Sequence, residues 1–133
     1  MHATVHGERT LTEFDFSRLT RLFGGQPPDE LADLLSATEV VPSREVPASV
    51  VTLHSQVELI DGRTRRRQKL TLCFPGEAAP AAGFISVLSP VGLSLLGLQE
   101  GAVAKWLTPG GEECSAEVAC VLFQPEANGD YAT

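Results

Sequence analysis

The order of apolar and polar positions divides the chain into a helical part and a β-rich part. Apolar residues recur at helical spacing in residues 16–23 and again in residues 31–35. Before the first of these segments, Thr12 and Asp15 have the spacing of a capping box, with Asp in place of the usual Glu. The glycines and prolines of residues 24–28 end the first of these segments and delay the second. We therefore predict two short amphipathic helices that pack as an antiparallel hairpin, followed by a linker at residues 40–47.

From there to the carboxyl end, the apolar positions follow the two-residue period of β-strands. Asp61-Gly62 is a strong hairpin signal, and Pro109-Gly110-Gly111 marks a second turn. These patterns predict about five strands that are joined mainly by hairpins. The strands are expected at residues 55–59, 65–74, 84–87, 102–108 and 114–124.

One short helix interrupts the strands. Ser89 is a suitable N-cap and Pro90 a suitable first helical residue, so the helix is expected to start at this pair. Val91, Leu95 and Leu98, at i, i+4 and i+7, give the helix an apolar face, with Leu96 beside them. Such a face on a helix held between two strands indicates a docking surface, and hence a binding module whose chemistry is left to a partner.

Together these elements predict an α+β fold in two parts. A short N-terminal antiparallel helical hairpin occupies residues 1–42. An antiparallel sheet domain with one short helix occupies residues 43–133. A chain of 133 residues is long enough to bury a hydrophobic core.

Charge and composition exclude several classes of protein. A net charge of −7 gives no general attraction to nucleic acid or to an anionic membrane. No apolar run reaches the roughly 18 residues of a spanning helix, and the first residues lack the pattern of a signal peptide. The three cysteines are an odd number and do not indicate a disulfide framework, so we expect a cytoplasmic protein with reduced thiols.

The exception to the acidic balance is a basic run formed by Arg63, Arg65, Arg66, Arg67 and Lys69. Alternation along the strand places Arg66 on one face, together with Gln68 and Leu70, and places Arg65, Arg67 and Lys69 on the other. Three interpretations stay open, namely a solvated strand edge, a contact with an acidic protein partner, and binding of nucleic acid.

The sequence shows no catalytic constellation. Ser86, Ser89 and Ser94 have no histidine at motif distance, and no G-x-S-x-G pattern occurs. The three histidines lack ligand spacing with the cysteines, so no metal site is predicted. With no phosphate-binding loop either, we predict no catalytic residue and no cofactor.

Several short motifs, taken together, carry a resemblance to a known family. They are Ile85-Ser86-Val87, Ser89-Pro90, Gly92, Leu95-Leu96-Gly97, Gly101 and the turn Pro109-Gly110-Gly111, together with residues 45–55 and 124–131. With these motifs, the carboxy-terminal two-thirds resembles the FK506-binding-protein-like (FKBP-like) domain of the Gre transcript cleavage factors. The whole chain is similar to the regulators of nucleoside diphosphate kinase, which are shortened relatives of the Gre factors.

This resemblance implies RNA polymerase as the partner. In Gre factors the globular domain docks at the rim of the polymerase secondary channel, against a coiled coil of the largest subunit. The matching docking segment in this chain consists of Leu88, Ser89, Pro90, Val91 and Gly92. An aspartate often precedes the Ser-Pro pair in Gre factors, whereas this chain has Leu88, which implies a different docking contact.

The resemblance also bears on the acidic residues near the predicted hairpin tip, Asp29, Glu30 and Asp33. Gre factors carry acidic residues to the polymerase magnesium on a long coiled coil, and the hairpin expected here is far shorter. Helix-start charges, contact with basic polymerase residues and assistance to the magnesium stay open as interpretations of the three side chains. The short hairpin favours a factor that occupies the rim and competes with Gre factors without stimulating cleavage. The family name further implies an effect on nucleoside diphosphate kinase levels.

Two other functions stay open. The first is a regulator that binds nucleoside diphosphate kinase directly. The second is a peptidyl-prolyl isomerase, because the domain resembles that superfamily. Such an isomerase has a deep aromatic-lined pocket, whereas aromatic residues make up only 6% of this chain.

Overall fold

The computed structural model describes residues 9–131 and shows an α+β fold, as predicted. This part of the chain contains three α-helices and seven strands. In chain order they are β1 (Thr10–Thr12), α1 (Glu13–Leu22), α2 (Asp29–Ser36), β2 (Glu39–Val41), β3 (Gln56–Asp61), β4 (Arg67–Cys73), β5 (Phe84–Ser86), α3 (Pro90–Leu95), β6 (Val103–Leu107) and β7 (Glu113–Phe123).

The main sheet has five strands in the order β5-β4-β3-β7-β6. The pairs β3–β4 and β6–β7 are antiparallel, as their hairpin signals predict. The pair β3–β7 is also antiparallel, although no hairpin joins these two strands. The pair β4–β5 is parallel, so the prediction of an antiparallel sheet is wrong for this edge. The connection at residues 74–83 contains two 3-10 turns and is long enough to carry the chain back before β5 begins.

A second, two-stranded sheet was not predicted. Strand β1 pairs with β2 in parallel, with Thr10 opposite Glu39 and Thr12 opposite Val41. Part of the stretch at residues 40–47 is therefore a strand, and its prediction as a linker is wrong in that part. Two three-residue strands that pair across 29 positions leave no local pattern in the sequence, which explains the omission.

The helical part and the sheet part share one hydrophobic core. Leu19 of α1 and Leu31 and Leu35 of α2 are buried in the same cluster as the inward-facing residues of the sheet. Those sheet residues include Val57, Leu59, Leu70, Leu72, Ala116 and Val118. The antiparallel packing of α1 on α2 and the domain boundary after residue 42 stay predictions.

Polar contacts also fasten the start of the described chain to α3. The guanidinium of Arg9 donates to the carbonyl oxygens of Leu93 and Leu96, each at 2.8 Å, and these carbonyls lie at the C-terminal end of α3. The N–H of Thr10 donates to Gly97 O at 3.0 Å. Because helix C-termini carry unpaired carbonyls and partial negative charge, the Arg9 contact stabilises α3 as well as the attachment.

Asp15 provides the most buried of these attachments. Thr12 caps α1 by accepting the Asp15 N–H at 3.0 Å, as the predicted capping pair requires. The Asp15 carboxylate, which has no exposed surface, does not return to the cap. One oxygen accepts the N–H of Leu53 at 3.1 Å, and the other accepts the Arg18 guanidinium at 2.6 Å. The Arg18 guanidinium also lies 4.2 Å from the Phe14 ring centroid, so the pair is shielded by an aromatic side chain.

A second buried carboxyl group lies at the carboxyl end of the sheet part. Glu126, only 8% exposed, accepts the hydroxyl of Thr52 at 2.8 Å. Burial raises the pKa of Glu126 above its ordinary value of 4.5, and the charge of Asp15 raises it further. Burial also raises the pKa of Asp15, against the opposing hydrogen bond from Arg18. Two carboxyl groups of raised pKa therefore accept hydrogen bonds from neighbouring residues, Asp15 from Leu53 and Glu126 from Thr52.

The raised pKa of Glu126 predicts a stability that falls with pH. Because the folded protein holds this proton more tightly than the unfolded chain, stability decreases as pH rises from about 4.5 through the folded-state pKa. In Glu126→Gln that contribution is absent, so its free energy of unfolding is expected to fall less steeply than that of the wild type. Urea unfolding between about pH 4 and pH 7 measures both slopes. Equal slopes would contradict a raised pKa at this position.

Candidate functional site

The predicted docking segment is held in a rigid frame of local hydrogen bonds. Ser89 is the N-cap of α3 and accepts the Gly92 N–H at 3.0 Å, and Pro90 is the first helical residue, as predicted. The Ser89 hydroxyl donates to Ser86 O at 2.7 Å. The Leu88 N–H donates to the Ser86 hydroxyl at 3.0 Å. These bonds fix the backbone from the end of β5 to the first turn of α3.

Gly92 allows α3 to lie directly against the end of β5. A methyl group at this position would lie 2.0 Å from Ser86 O and 2.9 Å from the Cα of Val87. Both atoms belong to the backbone, so neither can rotate away. Gly92 is therefore part of the frame, and its burial leaves it no accessible side of its own.

The five predicted docking residues differ in their accessibility. Pro90 is exposed, and Leu88, Ser89 and Val91 are half-buried. Leu88 and Val91 pack against the core, so Leu88 presents only part of its side chain to a partner. Only the first turn of α3 and the residues just before it are available for contact, and partner binding by them stays a prediction.

The prediction that α3 presents an apolar docking face is wrong for the main residues of that face. Leu95 and Leu96 have no exposed surface and belong to the core. Leu98 lies beyond the end of α3 and packs against the core. The helix is only six residues long and packs on β6, so its apolar side faces the sheet. The periodicity of a buried helix and that of a docking helix are the same, which is why the sequence could not separate them.

Pro90 borders a surface groove of about 400 Å³ that lies between α2, α3 and β6. Glu30 and Leu34 of α2 line it on one side, and Leu107 of β6 lines it on the other. Leu107 is 57% exposed, which is high for a leucine. The structure therefore brings Glu30, from the predicted acidic tip, to the same groove as Pro90 of the predicted docking segment.

The three acidic residues of the predicted tip are all exposed and lie on α2. Asp29 and Glu30 occupy the first turn of a helix that has no side-chain N-cap, so their charges compensate its dipole. Within residues 9–131 no three His, Cys, Asp or Glu side chains are grouped so as to hold a metal ion. Of the histidines, His54 pairs with Glu77 at 2.8 Å, and His2 and His6 lie outside the described residues.

Sequence reasoning missed a cavity of about 370 Å³ on the inner face of the sheet, beside Val91. We call it the Trp106 cavity. Apolar residues from β3, β4, β5, α3, β6 and β7 line it, namely Leu59, Leu70, Ile85, Val91, Trp106 and Ala116. Alternation along the strands predicted that Leu70 shares a face with Arg66 and Gln68, but no sequence pattern shows that six elements converge.

In the described residues, no helix is long and apolar enough to span a bilayer.

The comparisons with known proteins agree with each other. A family model for the C-terminal domain of the transcription elongation factors GreA and GreB matches residues 46–122. Over 113 residues the chain is 38% identical to the regulator of nucleoside diphosphate kinase from Escherichia coli strain K12, which covers 82% of this chain and 81% of that protein. Over 94 residues it is 34% identical to the transcription elongation factor GreA of Acidiphilium cryptum, with 71% of this chain and 59% of that protein covered.

A solved structure extends the likeness to the fold. The transcription elongation factor GreA/GreB from Nitrosomonas europaea superposes with a TM-score of 0.72 at 31% identity, and the match covers 87% of this chain and 98% of that one. The residues matched by the family model include α3 and all but the last residue of the five-stranded sheet. The chain therefore belongs to the GreA/GreB family of transcription elongation factors, and it is similar along most of its length to a regulator of nucleoside diphosphate kinase.

Proposed function

We propose that this protein is a cytoplasmic, non-enzymatic transcription regulator that binds RNA polymerase at the rim of the secondary channel. In the docking segment, Leu88 to Val91 make the contact with the coiled coil of the largest subunit, and the buried Gly92 supports them. The protein competes there with Gre factors, does not stimulate transcript cleavage, and affects the level of nucleoside diphosphate kinase. Membership of the GreA/GreB family and the names of the relatives support this proposal.

The observation that carries the proposal is the presentation of Pro90. Its ring is exposed at the first position of α3, while the Ser86 and Ser89 side chains and the close approach of Gly92 hold the backbone below it. A rigid apolar ring at a fixed position binds without a large loss of conformational entropy. Such a site suits recognition and contains no group that transfers protons or electrons.

The dimensions of the helices support the absence of cleavage stimulation. Helix α1 has 10 residues and α2 has 8, which correspond to about 15 Å and 12 Å of helix. Glu30 borders the same groove as Pro90, so this member of the predicted acidic tip lies close to the docking segment. If the protein docks at the rim of the secondary channel, helices of this length keep the acidic side chains at the rim, away from the polymerase magnesium.

Changing Pro90 to glutamate is expected to weaken binding to core RNA polymerase about tenfold, which corresponds to about 1.4 kcal/mol. The change removes the exposed ring and adds a charge that the first turn of a helix accepts, so folding is preserved. Pro80→Glu is the matched control, because Pro80 is also an exposed proline at the start of a helical turn. Fluorescence anisotropy of the labelled protein titrated with polymerase gives both affinities. Equal affinities for the two variants would contradict docking through Pro90.

Competition with a Gre factor tests the rest of the proposal. The wild type is expected to displace a labelled GreA from core polymerase, and to lower GreA-stimulated transcript cleavage without producing cleavage alone. Polymerase that binds both proteins at once, or cleavage by this protein alone, would overturn the competition model.

A direct regulator of nucleoside diphosphate kinase is the second candidate. It is favoured by one observation, the name of the Escherichia coli relative with which the chain shares 38% identity. Parallel pull-downs with purified kinase and purified core polymerase separate the two candidates, and capture of the kinase alone would reverse their order. For the isomerase alternative, the Trp106 cavity offers a single aromatic side chain, so a peptide assay of proline isomerisation is expected to show no activity.

A further inference from the structure

The Trp106 cavity has an apolar floor. Leu59, Leu70 and Ala116 are buried beneath it, and Ile85, Val91 and Trp106 form half-buried walls. Its volume of about 370 Å³ is at the lower end of the range of ligand pockets. A cavity of this size and lining accepts one bulky apolar side chain, which leaves the rest of the incoming molecule outside, against the rim.

The polar rim of the cavity carries two arginines and one carboxylate, and its members are Asp61, Thr64, Arg66, Arg67 and Gln68. The Asp61 carboxylate accepts the backbone N–H groups of Arg63 and Thr64, each at 2.8 Å, so its charge is engaged within the turn. Arg67 is paired with Glu58 at 3.1 Å, whereas the guanidinium of Arg66 makes no hydrogen bond or ion pair with any residue in 9–131. In a chain of net charge −7, an exposed and unpaired guanidinium beside an apolar cavity favours an anionic group attached to an apolar one.

We propose that the Trp106 cavity binds an acidic protein segment, with a leucine-like side chain inserted into the cavity and a neighbouring carboxylate paired with Arg66. This inference rests on the proposed function, because Val91 belongs both to the cavity wall and to the docking segment. The segment is therefore part of the docking partner. This binding also gives a role to the basic run, because Arg66, one of its members, lines the mouth of the cavity.

A polynucleotide fits this site less well than an acidic protein segment. Its phosphates match Arg66, but its backbone carries no aliphatic side chain for the cavity. The net charge of −7 also repels a long polyanion more strongly than a short acidic segment. Burial of an apolar anchor supplies the affinity, and the rim charge supplies the preference for acidic neighbours.

The protein contains its own reporter for this binding. Trp106 is the only tryptophan in the sequence and lies in the cavity wall, so its fluorescence responds to an occupant. The probe is a blocked peptide with a central leucine between two pairs of glutamates. Comparison peptides replace the leucine by alanine or the glutamates by glutamines. The first peptide is expected to shift the Trp106 emission and to bind at least tenfold more tightly than either comparison.

A pair of charge reversals tests the rim. Arg66→Glu is expected to weaken binding of the acidic peptide at least tenfold. Arg63→Glu is the matched control, because Arg63 is exposed on the same turn, has an unpaired guanidinium and does not line the cavity. Equal weakening by both variants, the same affinity for all three peptides, or tighter binding of a single-stranded RNA oligonucleotide would overturn the inference.

Two further measurements keep the inference separate from the proposed function. Nuclear magnetic resonance shifts of the Leu59, Leu70 and Val91 methyl groups on peptide addition confirm occupancy of the cavity, and shifts elsewhere contradict it. Binding to core polymerase is then compared between Arg66→Glu and Pro90→Glu. If only Pro90→Glu weakens polymerase binding, docking through Pro90 is supported, and binding of an acidic segment of the polymerase in the Trp106 cavity is contradicted. If neither does, the proposed function fails, whereas the peptide result still decides whether the cavity binds an acidic segment.

Discussion

Replacing Asp15 by alanine is expected to lower the free energy of unfolding by about 3 kcal/mol. The Asp15 carboxylate has no exposed surface, and it accepts the Leu53 N–H and the Arg18 guanidinium. Its removal leaves a buried N–H without an acceptor and a cation without its partner, and each loss is costly in a site that excludes water. It also detaches α1 from the turn that follows Thr52.

Two companion variants separate the causes of this loss. Glu13→Ala changes an exposed acidic residue in the first turn of the same helix and is expected to cost less than about 0.5 kcal/mol. Asp15→Asn keeps an acceptor for the Leu53 N–H but loses the charge opposite Arg18, so an intermediate loss is expected. Chemical unfolding followed by circular dichroism measures all three variants. A loss in Asp15→Ala no larger than in Glu13→Ala would show that these hydrogen bonds do not hold the helix.

Gly92→Ala is the second change with a large expected effect, again a loss of about 3 kcal/mol. Helix propensity alone predicts the opposite, a gain of up to about 1 kcal/mol for alanine over glycine. The steric term is larger, because the new methyl group would lie 2.0 Å from Ser86 O. To relieve the overlap, α3 must move away from β5, and the fully buried Leu95 and Leu96 must move with it.

The displacement of α3 is expected to reach the docking segment, so Gly92→Ala should also weaken polymerase binding at least as much as Pro90→Glu. Gly76→Ala is the control, because a methyl group there meets no atom within 4 Å and the backbone needs no positive φ. Thermal unfolding and polymerase titration of both variants check the prediction. Unchanged stability in Gly92→Ala would mean that the approach of α3 to β5 is looser than the structure shows.

Sequence patterns predicted those helices and strands that are determined by residues close together in the chain. Alternation placed β3, β4, β6 and β7 to within a few residues, and the Ser-Pro pair placed the start of α3 at its actual residue. The β1–β2 pair and the parallel pairing of β5 depend on contacts between distant segments, and their short strands carry too few residues for a period to be visible. The capping pair Thr12–Asp15 was found, but the Leu53 partner of Asp15 lies 38 positions away.

The local backbone of the predicted docking segment could be predicted from the sequence, but its exposure could not. The segment is a run of five consecutive residues, so capping signals could place the N-cap Ser89 and the start of α3 at Pro90. Which of those residues face outward depends on how α3 lies against β6, and this orientation left Pro90 exposed and Gly92 buried. The Trp106 cavity draws single residues from six elements, so only the folded chain reveals it.

The attachment of the amino-terminal segment to the end of α3 has a consequence for evolution. Arg9, Thr10 and Asp15 hold that segment at its base, whereas residues 24–26 are exposed, and methyl groups at Gly24 and Gly25 would touch nothing. Whole helical turns could be inserted at this free end without disturbing a single anchoring bond. The length of the helical segment and its attachment to the rest of the domain can therefore change independently, so related proteins can carry longer or shorter helices on the same set of anchoring contacts.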